Sequence, residues 1–224
     1  MIPYKDDNPT RTFPFVTIGL IGINSLIFLY EVLLRTRLQG FIFDLGMIPY
    51  EVTHGVNLPV SPSFSPYLTL LTSMFLHGGW LHLIGNMLYL WIFGDNVEDV
   101  LGHPRFFIFY IVCGLVAAGT HVLANPNSTV PTLGASGSIA GVLGAYFFLY
   151  PRARIYTLVP IFFYMQVIVL PAFIVLGFWF LIQILSGLFS WRVNLGGVAW
   201  FAHIGGFVGG YLLMRRYASK RRRA

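Results

Sequence analysis

Six stretches of the chain are dominated by apolar residues and separated by polar, glycine or proline breaks: Phe13 to Leu34, Gly79 to Val97, Arg105 to Leu123, Gly134 to Tyr150, Gln166 to Phe189 and Val198 to Met214. Lipid offers no partner to a free backbone group, and a crossing helix needs about 20 mostly apolar residues. The pattern therefore predicts an all-α membrane protein, a polytopic bundle of six transmembrane helices. The first run is too long for the core of a signal peptide and lacks a small-residue cleavage site, so it is read as an anchor. The apolar run from Tyr156 to Trp191 exceeds one upright helix and holds Pro160 and Pro171. Tyr156 to Met165 is read as an interfacial segment ahead of the fifth span. About 45 residues separate the first two runs, whereas the other connections are short. Carrying Phe41, Ile42, Phe43, Phe64 and Tyr67, this long loop is expected to lie in the outer leaflet. The length suits a single domain over 1–224, with its core at about 13–214. No internal repeat is apparent, which argues against an inverted-repeat transporter.

Charge adds orientation. Only 10% of the residues are charged and 56% are hydrophobic, far from the roughly 25% charged of a soluble domain. The net charge of +6 arises largely from Arg215, Arg216, Lys220, Arg221, Arg222 and Arg223. Directly following an apolar span, residues 215–224 read as a basic cytoplasmic tail facing anionic lipid rather than nucleic acid. With the N-terminus inside, eleven basic residues are cytoplasmic (Lys5, Arg11, Arg105, Arg152, Arg154 and the six of the tail) against Arg35, Arg37 and Arg192 outside. The positive-inside rule thus predicts an N-in, C-in arrangement. Cys113, the one cysteine, has no disulfide partner and is read as core filler.

Against this apolar background a few polar groups stand out: Glu31, His77, His82, Asn86, Ser136, Gln183 and His203. Buried polar groups cost free energy, so each is a functional candidate by default. Glu31 lies where a carboxylate can reach the outer interface, and Gln183 can hydrogen-bond a neighbouring helix. Both are read as structural. His54, His103 and His121 fall in loops or near span ends and carry no assigned chemistry. His82 and Asn86, four residues apart, share one helix face near the outer end of the second span. Ser136 opens the fourth span and His203 lies in the first turns of the sixth, both of which start outside, so four polar groups share one depth.

Small residues give that depth a purpose. Gly137, Gly141 and Ala145 recur every four residues, as do Gly206 and Gly210, and Gly205 and Gly209. Such stripes let two backbones approach closely. If the fourth and sixth spans pack along them, Ser136 and His203 come within hydrogen-bond reach, as a base-activated nucleophile requires. A third, acidic member is missing. Of eight carboxylates none lies beyond Asp99, and Asp95, Glu98 and Asp99 sit about 24 Å along the helix from His82 at 1.5 Å per residue. Catalysis is therefore expected to run as a Ser136–His203 dyad, with packing holding the imidazole. His82, Asn86 and backbone N–H groups near Ser136 would supply the donors that an oxyanion needs. Water must reach the site to release an acyl-enzyme, which implies an outward-open polar cavity. A metal site fits poorly: His77 and His82 are five apart, and no intramembrane carboxylate stands by. No metal or cofactor is expected.

These residues resemble the rhomboid intramembrane serine proteases over almost the whole chain, Phe13 to Met214, in the basic six-helix form. "GASG" at Gly134 to Gly137 is similar to the family's G-x-S-G, and "AHIGGFVGG" at Ala202 to Gly210 to its A-H-x-x-G segment. "HGGWLHLIGN" at His77 to Asn86 resembles H-x-x-x-x-H-x-x-x-N, and "GDNVEDVLG" at Gly94 to Gly102 the G-x-x-x-E-x-x-x-G stretch. The resemblance implies Ser136 as nucleophile, His203 as general base, His82 and Asn86 in oxyanion support, and structural roles for His77 and Glu98. It implies substrates that are other transmembrane proteins, cut in or beside a membrane segment with helix-destabilising small residues. Two positions depart from the family. Leu68 and Thr69 stand where a Trp-Arg pair is common in the first outer loop, and Ala140 where many members carry an aromatic that packs on the base.

Three functions are weighed. A serine endopeptidase of the bilayer requires both Ser136 and His203. A silent relative that binds membrane proteins without cutting them would need neither. A transporter would carry solute independently of Ser136, and the chain lacks the paired intramembrane charges expected of one. The short N-terminal segment points to the plasma membrane of a prokaryote, with the site opening to the outer side.

Overall fold

Apolar sequence that must satisfy its own backbone folds as helix, and most of this chain does so. The computed structural model describes residues 1–59, 64–161, 164–193 and 198–221, with side chains for all of these except 191–193. The helices in chain order are α1 (Phe15–Leu34), α2 (Leu38–Leu45), α3 (Pro49–His54), α4 (Thr69–Thr72), α5 (Trp80–Leu101), α6 (His103–Ala124), α7 (Ser136–Leu149), α8 (Ala172–Val193) and α9 (Trp200–Arg221). Among the described residues three helical stretches are long and apolar enough to cross a membrane: Phe15–Leu45, His103–Ala124 and Ala172–Ser190. α7 is apolar but has 14 residues. α5 ends in Asp95, Glu98 and Asp99, and α9 in Arg215, Arg216, Lys220 and Arg221, so each is apolar over only part of its length.

α7 is the centre of the bundle. Every residue from Gly137 to Tyr146 is buried, as expected of a helix that is apolar on all faces. α5, α6 and α9 surround it, and the largest enclosed side chains, Phe93, Phe106, Tyr110 and Tyr146, fill the spaces between them. The free thiol of Cys113 is buried in this core. Large apolar residues such as Leu26, Leu33, Leu81 and Leu123 point outward, a surface suited to hydrocarbon rather than water.

The fold is not purely helical. β1 (Ile2–Asp6), β2 (Arg154–Ile161) and β3 (Tyr164–Pro171) form an antiparallel sheet in the order β1-β2-β3. The pairing runs from Ile2 opposite Leu158 to Asp6 opposite Ile155, and from Arg154 opposite Pro171 to Ile161 opposite Tyr164. This corrects the all-α fold class and the expected start of the fifth span. Tyr156 to Ile161 lies in β2 and Tyr164 and Met165 in β3, and the helix expected from Gln166 begins at Ala172, residues 166–171 being strand. The cause is legible in the residues: Ile155, Thr157, Val159, Val167, Ile168 and Val169 are β-branched. Ile155 and Thr157 turn inward and are fully buried while Arg154 is exposed, the alternation of a half-buried strand. Tyr146 fastens β1 to the bundle, donating from its hydroxyl to Asp6 Oδ2 at 2.6 Å while Asn8 Nδ2 donates to that hydroxyl at 3.0 Å.

The first basic residues after the last apolar run are helical, since α9 continues through Lys220 to Arg221. Lysine and arginine are good helix formers and are favoured at a helix C-terminus. Arg222 and Arg223 lie outside the described residues, as does the side chain of Arg192.

Two carboxylates assigned structural roles behave as anchors. Glu31 is turned inward rather than toward the interface: it is 1% exposed and accepts the backbone N–H of His77 through Oε2 at 3.2 Å. Fully buried Glu98 caps α1 from a neighbouring helix. It accepts Val16 N at 2.9 Å, Thr17 N at 2.8 Å and Thr17 Oγ1 at 2.6 Å, and pairs with His103 Nδ1. These are first-turn N–H groups that α1 cannot satisfy itself. Glu98→Ala strands them in an apolar setting, and a loss of about 3 kcal/mol is expected from the cost of unmade bonds to a charged group. A fall in the thermal unfolding midpoint in detergent measures this, and an unchanged midpoint would refute the capping role.

The long first loop is pinned beside the N-terminus of α7. Met47 and Thr132 exchange backbone hydrogen bonds at 3.0 and 2.7 Å, and Gly134 N donates to Ser73 O at 2.9 Å. Where the Trp-Arg pair is absent, Leu68 is exposed and Thr69 is buried, its hydroxyl donating to Pro66 O at 2.7 Å.

Candidate active site

Ser136 is the first residue of α7 and His203 lies in the first turn of α9. Ser136 Oγ is 2.8 Å from His203 Nε2. The approach depends on glycine. A Cβ on Gly206 would overlap the carbonyl oxygen of Gly137, one on Gly210 that of Gly141, and one on Gly144 that of Phe207. Gly144 stands outside the four-residue period of Gly137, Gly141 and Ala145. Gly205 and Gly209 face α6 instead, against Thr120 and Val116, while Gly137 and Gly141 also admit Ala117 and Cys113 of α6. The small residues of α7 and α9 therefore serve two interfaces, and α9 carries one stripe on each of two adjacent faces.

Among the described residues no carboxylate meets the far side of His203. Its Nδ1 is 2.8 Å from Gln183 Oε1, on α8. The imidazole is also walled by Trp179 of α8, with centroids 5.8 Å apart, and by Trp200 of α9 at 6.2 Å. Ala140 is fully buried and brings no ring, so the aromatic contacts of His203 come from Trp179 and Trp200.

His82 enters from the first turn of α5. Gly78 N donates to its Nδ1 at 3.3 Å, so the ring hydrogen of the neutral form sits on Nε2. That nitrogen faces Gly134, where a Cβ would fall 2.8 Å from His82 Nε2 and 3.5 Å from Ser136 Oγ. Gly134 has φ +129, a conformation that side chains disfavour. Glycine thereby keeps open a space bounded by the serine oxygen and a ring N–H. Asn86 is 8% exposed, and its Nδ2 has no hydrogen-bond partner among the described residues. His77 is buried, edge-on to His82 at 5.2 Å between centroids, with neither ring nitrogen hydrogen-bonded among the described residues. Its ring packs on that of His82, and its backbone N–H donates to the Glu31 carboxylate.

A cavity of about 850 Å³ lies above, lined by His82, His121, Asn125, Ser128, Thr132, Ser190 and Trp200 among others. Ser136 borders a separate void of about 30 Å³ with Ser73, Met74, Gly134 and Ala199. Ala199 lines both spaces, and a void of this size suits a single water.

Residues 65–220 match the Rhomboid domain. The chain belongs to the rhomboid family. It is 38% identical over 92 residues to Rhomboid protein 1, mitochondrial, of Saccharomyces cerevisiae, covering 39% of this chain and 27% of that protein. It is 34% identical over 142 residues to Rhomboid protease GluP of Bacillus subtilis, covering 63% of this chain and 24% of that protein. With RHOMBOID-like protein 6, mitochondrial, of Arabidopsis thaliana it shares 32% over 145 residues, 64% of this chain and 41% of the relative. The chain spans less than half the length of each of these. Family membership and the apolar helices together make it a multi-pass membrane protein with proteases among its named relatives.

Proposed function

We propose that this rhomboid is an intramembrane serine endopeptidase that hydrolyses peptide bonds in or beside transmembrane segments of other membrane proteins. The observation that carries the reading is the 2.8 Å contact of Ser136 Oγ with His203 Nε2, within the range required of a nucleophile and its base. α1, α5, α6, α7, α8 and α9 would be the six crossings of a single domain, N-in and C-in, in the plasma membrane of a prokaryote. The 14 residues of α7 span about 21 Å at 1.5 Å per residue, less than the roughly 30 Å of hydrocarbon. A helix that short, seated at the inner interface, starts below the outer one, which puts Ser136 within the depth of a substrate helix.

In this mechanism His203 Nε2 takes the hydroxyl proton as Ser136 Oγ bonds to the substrate carbonyl carbon. The tetrahedral oxyanion is met by His82 Nε2–H, Asn86 Nδ2–H and the free backbone N–H groups at the start of α7. His203 then returns the proton to the departing amine, leaving an acyl-serine. Water from the polar cavity beside His82 reverses the sequence and releases the acid.

The test needs no known substrate. A fluorophosphonate phosphonylates a serine only when the oxygen is activated, so purified protein in detergent is expected to carry one adduct, on Ser136 by mass spectrometry, lost in Ser136→Ala and His203→Ala. A folded sample without the adduct would favour a rhomboid that binds membrane proteins without cutting them.

A further inference from the structure

Gln183 sits on α8, whose neighbouring residues are apolar, and it is 5% exposed. A carboxamide there must find partners or cost stability. It finds two: its Nε2 donates to Trp179 O, four residues back on α8, at 3.0 Å, and its Oε1 is 2.8 Å from His203 Nδ1. The first bond fixes the sense of the second. A carbonyl oxygen only accepts, so the NH₂ end of the amide must face Trp179 O; the reverse orientation would set two acceptors against each other. Oε1 then faces His203, and an amide oxygen also only accepts. Nδ1 must therefore carry the ring hydrogen. A neutral imidazole has one such hydrogen, which leaves Nε2 as a lone pair directed at Ser136 Oγ, 2.8 Å away.

Resting on the assignment of Ser136 and His203 as a dyad, we propose that Gln183 is the positioning residue of the base, selecting by its amide oxygen the Nδ1–H tautomer in which His203 can accept the serine proton. It does by hydrogen bonding what an orienting carboxylate does elsewhere, without a buried charge. Trp179, one turn back on the same helix, supplies both the acceptor that orients the amide and a wall for the ring. α8 thus contributes the orientation of the base, while α7 and α9 contribute the reacting atoms.

The experiment compares the parent protein with Gln183→Leu, which keeps the bulk but removes the acceptor, and Gln183→Glu, whose neutral carboxyl can donate its O–H to Trp179 O and offer its carbonyl oxygen to His203 Nδ1. Three quantities are read: the fluorophosphonate labelling rate at Ser136, the ¹⁵N spectrum of histidine-labelled protein with His203 assigned by difference against His203→Ala, and the thermal midpoint. The leucine variant is expected to label about 10- to 100-fold more slowly at an unchanged midpoint, the glutamate variant to recover most of that loss, and His203 to pass from a single Nδ1–H form to a mixture in the leucine variant. Unchanged labelling with an unchanged tautomer in Gln183→Leu would overturn the proposal. So would a loss that tracks the thermal midpoint and is not recovered by glutamate, since packing alone would then account for Gln183. If the parent protein forms no adduct, the dyad reading fails, yet the ¹⁵N spectrum still decides whether Gln183 sets the tautomer.

Discussion

Ser136→Ala, His203→Ala and the double variant are expected to fall to one common floor of activity, about 10⁴- to 10⁶-fold below the parent chain. The reason is that the two groups act as one device. Without the oxygen there is no bond to form, and without the imidazole the hydroxyl keeps its proton at neutral pH. Removing the second partner after the first then costs nothing more. Any activity above the floor comes from groups that remain, His82, Asn86 and the N–H groups at the start of α7. The measurement is the initial rate of cleavage of a transmembrane reporter in proteoliposomes. Losses that multiply in the double variant would separate the residues into independent roles and remove the dyad. The same device sets the pH behaviour: a protonated His203 cannot accept the serine proton, so the rate must fall as pH drops through its pKa. A chemistry-limited rate with no acid limb down to the pH at which the protein unfolds would count against His203 as base.

The convergence of Ser136 and His203 was legible because it rests on two quantities a sequence carries openly, depth along a span and the period of small residues. Gly206 and Gly210 meet α7 where their spacing suggested; Gly205 and Gly209, equally periodic, meet α6 instead, and period alone does not say which neighbour a stripe faces. The support of the base was less visible for a structural reason. Counted from Gln166, Gln183 falls 17 residues into the fifth span, toward its far end. Residues 166–171 are strand, however, and α8 starts at Ala172, so Gln183 stands about 11 residues along it at 1.5 Å each. The shared depth was legible, since Gln183 stands six residues before Phe189 and His203 five after Val198 at the same outer end; which face of α8 the amide takes, and so its contact with His203, was not. The strand was hidden in turn because apolar length outweighed β-branching: Val167, Ile168 and Val169 suit a membrane helix by hydropathy and a sheet by shape. The aromatic support was obscured in a different way. Ala140 marks a gap in the expected place, whereas Trp179 and Trp200 reach the ring from helices whose register only the packed bundle defines.

Gly210→Val is expected to lower the thermal midpoint sharply and to reduce fluorophosphonate labelling at Ser136 by at least about 100-fold, although residue 210 lies nearly two turns from His203. An added Cβ would fall against the carbonyl oxygen, carbonyl carbon and Cα of Gly141. All three are backbone atoms, so no rotamer change relieves the overlap and the helices must part. Overpacking a tight contact typically costs about 1–3 kcal/mol. The functional cost is larger because Ser136 and His203 stand on the two helices being separated, and misplacement by about 1 Å can cost some 10²-fold in rate. Gly206→Val acts by the same route against Gly137 and closer to the site, so its labelling defect should be at least as great. Gly19→Ala in α1 supplies the contrast, because nothing lies within 4 Å of a Cβ there. Alanine is the better helix former by about 1 kcal/mol, and this variant should keep full labelling with an equal or higher midpoint. If Gly210→Val labels like the parent chain, α7 and α9 can move apart without disturbing the dyad, and close backbone approach is not what assembles it. If Gly19→Ala fails as badly as Gly210→Val, the loss reflects glycine in a helix generally rather than contact between α7 and α9. Retained labelling in Gly19→Ala and loss in Gly210→Val would tie the chemistry at Ser136 to the missing side chain at Gly210, where α9 lies against the Gly141 carbonyl of α7, which links the glycine period in the sequence to the 2.8 Å contact between oxygen and nitrogen.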